Sequence, residues 1–220
     1  MLKNYVEKLN EIRQSITDIT DGLVKANELI VIALDSCDDK HFNDAKSYIK
    51  NIGNKTNSID NEIVKTLALH SPEARDLRVM VSYFKITNEL LRASTNTRTF
   101  IKGFSDICKE VDMNTIKEYA IPMQKATVQA LKSTSNMINT DCRDEIQEYF
   151  NNVLISENKA DDLYDMVEED ILKQAKDGNS FEKYHSMLHA LRKSAKISDR
   201  AMSIASLLLY AKNGGEIHQV

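Results

Sequence analysis

Glu157, Asp161 and Asp165 recur at every fourth residue, which places three carboxylates on one face of a helix beside its apolar stripe. Like charges at this spacing repel by roughly 0.2–0.5 kcal/mol per pair. A bound cation reverses that sign, because carboxylate oxygens suit hard or borderline metals such as Mg, Mn or Fe. The plainer reading is a solvated acidic face, with Lys159 screening nearby. Asp199 weighs against the plain reading. It stands in mid-helix among Ala195, Ser198 and Met202, where a lone carboxylate needs a partner.

Other chemistry is thinner. His185 and His189 have a chelating i,i+4 spacing but no third ligand that can be placed, and a His189 facing solvent beside the core explains the pair better than a metal site. Glu182-x-x-His185 is half of a di-iron motif whose second Glu-x-x-His does not occur. Glu182 is better read with Asn179 as a capping box. The sequence has no glycine-rich phosphate loop, no GxSxG elbow and no Cys/His nucleophile arrangement. One charged cluster stands out, SPEARDLR at 71–78. Ser71 as N-cap, Pro72 in the first turn and early acids account for a helix start. They do not account for Arg75, Asp76 and Arg78 together, which need partners on a neighbouring helix or on another protein.

Long helices must carry these groups. The 220 residues include two prolines, six glycines and no tryptophan, with hydrophobic residues at 42% and charged residues at 28%. Leu9, Ile12, Ile16, Ile19, Leu23, Ala26, Ile30 and Ala33 advance by alternating threes and fours. So do Phe42 to Ile63, Cys142 to Val167 and Leu188 to Leu209, the geometry of helices crossing at small angles. Period-2 strand patterns are absent. The expectation is an all-α fold of six long antiparallel helices, near 3–36, 40–69, 72–106, 113–139, 142–176 and 180–212. Pro122 predicts a kink or an irregular first turn in the fourth.

A net charge of −4 gives no electrostatic case for nucleic acid or an anionic membrane. The apolar runs are too short to span a bilayer, and no signal peptide is evident, so a cytoplasmic protein without membrane insertion is expected. Cys37, Cys108 and Cys142 are far apart and odd in number, which predicts reduced thiols. KITNELLRASTNTRTFI (85–101) aligns without a gap on HALRKSAKISDRAMSIA (189–205), setting Arg92 on Lys196, Ser94 on Ser198 and Thr95 on Asp199. Two tandem three-helix repeats follow, 1–110 and 111–220.

With these residues in place, the chain resembles the PhoU family of phosphate-transport accessory and regulatory proteins. Pro72, Ala74, Asp76, Leu77 and Arg78 match its Pro/Ala/Asp-Leu-Arg segment, and Glu89, Leu90 and Arg92 match part of the helix that follows. DRAMSIASLLLYAKNG (199–214) is similar to its closing helix, which runs to a tyrosine and a glycine. The resemblance implies a PhoU-like fold of two three-helix bundles, a non-enzymatic negative regulator of phosphate homeostasis, and often a homodimer. It also implies an adaptor between the ATPase subunit of a phosphate ABC transporter and a membrane sensor histidine kinase, with Arg75, Asp76 and Arg78 as partner-binding residues. Some members hold metal through Glu/Asp-x-x-x-Asp pairs. Here Leu91 and Thr95 replace the first-repeat pair, and no acid lies between Asp44 and Asp60 on the partner helix. Glu157, Asp161 and Asp199 persist in the second repeat, with Ala195 in the fourth position, as a site for a divalent or iron-type ion. The alternative is a metal-binding helical scaffold unrelated to phosphate control.

Overall fold

The computed structural model describes residues 2–174 and 178–214, and the side chains of 2–3, 174 and 178–181 fall outside the description. Every element is helical among the described residues: α1 (Leu2–Ser36), α2 (Asp39–Tyr48), α3 (Ile52–His70), α4 (Ala74–Ile107), α5 (Met113–Thr115), α6 (Ile121–Asn139), α7 (Arg143–Gln174) and α8 (Gly178–Asn213). The expected all-α fold holds, and α2–α3 and α5–α6 together supply the second and fourth helices.

The alternating stripes are the core. Ile12, Ile16, Leu23, Ile30, Phe42, Ile63, Val153, Val167, Leu191 and Met202 are all buried. One continuous apolar cluster runs from Tyr5 on α1 to Leu208 on α8 and takes in both halves of the chain. The third helices of the two halves, α4 and α8, pack against each other along their length. Small side chains let them approach. Ala93, Ser94, Ala195, Ser198 and Ala205 are buried, and a Cβ added at Gly103 would meet the Ala190 Cβ at 3.3 Å.

A chain of buried amides and hydroxyls crosses this core, and the sequence reading did not anticipate it. Asn27 on α1 donates to Thr97 on α4 (3.4 Å) and accepts from Gln124 on α6 (2.6 Å). Gln124 in turn accepts from the Ser194 hydroxyl on α8 (2.7 Å), and Thr127 lies 3.0 Å from both the Ser194 and the Ser198 hydroxyls. Each of these residues is buried, so every polar atom needs a partner inside the protein, and the four helices supply them to one another.

Three expectations need correction. The second helix is broken: Asn51 adopts a left-handed conformation with φ 60°, ending α2 and restarting the chain as α3. Ser71 does not cap α4. It ends α3 with φ 43°, donating its backbone N–H to the Leu67 carbonyl at 3.3 Å, while Glu73 holds the N-cap position of α4. Cys37 and Cys108 are not free thiols. They form a disulfide with a Cα–Cα distance of 5.6 Å that ties the end of α1 to the end of α4, leaving Cys142 as the free, exposed thiol.

Pro122 acts as expected. The backbone of Ile116–Ala120, just before it, is wound as a π-helix between α5 and α6. Proline has no N–H to give to the carbonyl four residues back, and the wider turn accommodates that loss. The predicted Asn179–Glu182 capping box involves the Asn179 side chain, which lies outside the described residues.

Candidate functional site

α7 and α8 bring together the three acids singled out by spacing. Glu157, Asp161 and Asp199 each offer a carboxylate oxygen, and these oxygens lie within 4.8 Å of one another. Ile146, Val153, Ala160 and Val167 bury one stripe of α7, which fixes the rotation of Glu157 and Asp161 toward α8. Glu157 is only 9% exposed, whereas Asp161 is exposed to solvent. Asp165, the third member of the sequence pattern, is exposed and outside the group.

The electrostatics are those of uncompensated negative charge. Burial raises the pKa of Glu157, and Asp161 and Asp199 raise it further. Burial, then Asp199, does the same to Asp161. Asp199 is also raised by burial, although Arg200, Lys196 and Arg192 oppose it. A divalent ion removes this penalty. Oxygens grouped within this reach can share one hard divalent ion. The open side at Asp161 leaves coordination positions to water or to a partner's ligand.

The first half holds no counterpart among the described residues. Leu91 packs against the core, and the Thr95 hydroxyl donates to the Leu91 carbonyl at 3.0 Å. On the partner helix, Asp60 accepts from the Thr87 hydroxyl at 2.6 Å. His189 is exposed, and among the described residues neither it nor His185 belongs to a group of ligands that could share an ion.

The SPEARDLR cluster divides into inward and outward parts. The Arg78 guanidinium lies 5.8 Å from the centroid of the Tyr210 ring on α8, and a Cβ added at Gly214 would meet its Nη1 at 2.8 Å. Asp76 is half-buried and Arg75 is exposed at the mouth of a small cavity shared with Arg13, Tyr83, Asp141 and Lys212. Lys212 donates to the Thr140 carbonyl and lies 3.2 Å from Asp141, which Arg13 also reaches at 3.3 Å. Burial pushes the pKa of Asp141 up, but Lys212 and Arg13 more than offset that and leave it lowered. The motif thus opens α4 where the ends of α1 and α8 converge. Its arginine touches the closing tyrosine and glycine that the sequence reading had marked separately.

The chain matches no protein-family model. It is 22% identical over 223 residues to a phosphate-specific transport system accessory protein PhoU homolog of Pseudomonas putida, covering 99% of this chain and 84% of that one. A homolog of the same name from Pseudomonas aeruginosa is 20% identical, over 95% and 81% of the two chains. Among solved structures, PhoU from Pseudomonas aeruginosa superposes with a TM-score of 0.83 at 19% identity, covering 96% of this chain and all (100%) of that one. The phosphate transport system regulatory protein PhoU from Streptococcus pneumoniae gives 0.79 at 17% identity, covering 98% and 100%. The chain is thus similar in sequence along nearly its whole length to two PhoU homologs, and it shares the all-α fold of the solved PhoU structures.

Proposed function

We propose that the chain is a non-enzymatic negative regulator of phosphate transport and phosphate-starvation signalling. It acts as a cytoplasmic adaptor between the ATPase subunit of a phosphate ABC transporter and a sensor histidine kinase. The observation that carries this reading is the whole-length likeness to two phosphate-specific transport accessory proteins. A docking role draws support from the surface of α4. Leu77, Val81 and Phe84 form an exposed apolar stripe at helical spacing, beginning within the SPEARDLR segment. On this reading Arg75, Asp76 and Arg78 form the charged end of a partner surface. The chain is a duplication of three-helix units, 1–110 and 111–220, and works as a homodimer. No described helix is long and apolar enough to cross a membrane.

Affinity co-purification from detergent-solubilised native cells, grown with and without phosphate, tests the adaptor role. Recovery of the transporter ATPase or the kinase is the expected result. Their absence under both conditions, with the bait well expressed, overturns it. The second reading, a metal-binding scaffold, is favoured by the convergence of Glu157, Asp161 and Asp199. Metal analysis of protein purified without chelator, with D161N and D199N as controls, tests that site.

A further inference from the structure

Next to Asp199, α8 also carries charge of the opposite sign. Lys196 and Arg200 face α4, where Arg92, Thr95, Asn96 and Leu91 complete a groove of about 470 Å³. Three cations line it and no carboxylate does. Glu89, only 15% exposed at its side chain, is the nearest counter-charge, 3.0 Å from Arg200 and 3.7 Å from Arg92. Arg200 also lies 3.9 Å from Asp199, whereas Lys196 has no ion pair among the described residues.

We propose that this groove binds a small oxyanion of the phosphate class. Three positive groups around one opening repel each other, and a dianion between them relieves that repulsion. Glu89 holds Arg200 from behind, so its guanidinium is fixed and need not be ordered on binding. Arg92 is 60% exposed at its side chain, and an anion in the groove would compete with Glu89 for its long 3.7 Å contact. Guanidinium forks match tetrahedral oxyanions in two-point contacts, Lys196 adds a point charge, and Asn96 offers amide N–H donors. The groove draws on less than two turns of each helix, 91–96 of α4 and 196–200 of α8, a span that suits a compact anion better than an extended acidic peptide.

The repeat alignment explains its composition. Arg92 falls on Lys196 and Asn96 on Arg200, so equivalent positions of the two halves face each other across the groove. Leu91 and Thr95, the remaining lining residues, add no carboxylate that would neutralise it. The inference stands on this groove and does not depend on the adaptor reading; a purified chain can bind the anion whether or not it docks to a transporter.

The test is an NMR titration of the full chain with inorganic phosphate at constant ionic strength, following the Asn96 side-chain amide. Sulfate and chloride serve as parallel titrants. Phosphate is expected to shift Asn96 saturably, with sulfate similar or weaker and chloride without effect. Because each lost charge-assisted contact costs about a factor of ten or more, R92Q/K196Q is expected to weaken binding at least that far with thermal melting unchanged. K196E is expected to abolish it. No saturable shift, an equal response to chloride, or undiminished affinity in R92Q/K196Q overturns the proposal. So does binding seen only with anionic vesicles or an acidic peptide and not with free phosphate.

Discussion

The guanidinium of Arg78 lies over the ring of Tyr210, 5.8 Å from its centroid, and joins the start of α4 to the end of α8. Gly214, at φ 77°, lets the backbone past this contact where a side chain would meet Arg78. R78A is expected to lower stability by about 1–2 kcal/mol through the lost cation–π contact and packing. G214A is expected to cost about 1 kcal/mol. Urea denaturation of both variants checks this. A wild-type midpoint for R78A would mean that the motif arginine serves partners alone.

The acid trio fixes a pH dependence. All three pKa values are raised on folding, so the unfolded chain binds fewer of these protons than the folded one between the ordinary carboxylate values and the raised ones. Without metal, the trio's contribution to stability therefore falls as pH rises through that window. A divalent cation such as Mn²⁺ is expected to raise the melting temperature at pH 7 and to have little effect near pH 4. D199N is expected to stabilise the metal-free protein and to remove the response. Thermal melts with and without metal at both pH values decide it; an equal response in D199N sinks the site.

The buried polar chain makes a different demand. Gln124 joins Asn27 to Ser194, and truncating it leaves the buried Asn27 amide oxygen without a donor, while the Ser194 hydroxyl keeps Thr127. Q124A is expected to cost about 2–4 kcal/mol, combining the lost packing with one orphaned amide oxygen. Chemical denaturation measures it, and a loss under 1 kcal/mol would imply that water enters and satisfies the network.

Reduction should be visible in the same assay. The Cys37–Cys108 bond spans 71 residues of chain, and closing such a loop in the unfolded state contributes about 4 kcal/mol. Thiol titration of the denatured protein is expected to find one free thiol before reduction and three after it. C37S/C108S is expected to lose stability, with no further loss on adding reductant. Three thiols in protein isolated under non-reducing conditions would refute the bond.

Much of this molecule was legible from residue spacing. The apolar stripes named the core faces, and the fourth-residue spacing of Glu157 and Asp161 with a misplaced Asp199 named the acid group. The break at Asn51 was hidden because Ile49 and Ile52 keep the stripe in phase across it. Ser71 misled because the same residue type suits an N-cap and a left-handed helix end, and Leu67 needed the donor. Cys37 and Cys108 meet only because α1 and α4 end at the same level of the bundle, which sequence separation does not reveal. The Asn27–Gln124–Ser194 chain escaped notice for a related reason. Isolated polar residues within an apolar stripe read as imperfections until the helices are assembled.

The central claim is control of the phosphate response. Its most direct test is a phosphate-starvation reporter in a strain lacking this chain, grown at high and low phosphate. The account predicts that the reporter is expressed at high phosphate in the deletion strain and silenced again when the intact chain is restored. Expression unchanged from the parent at both phosphate levels would contradict it.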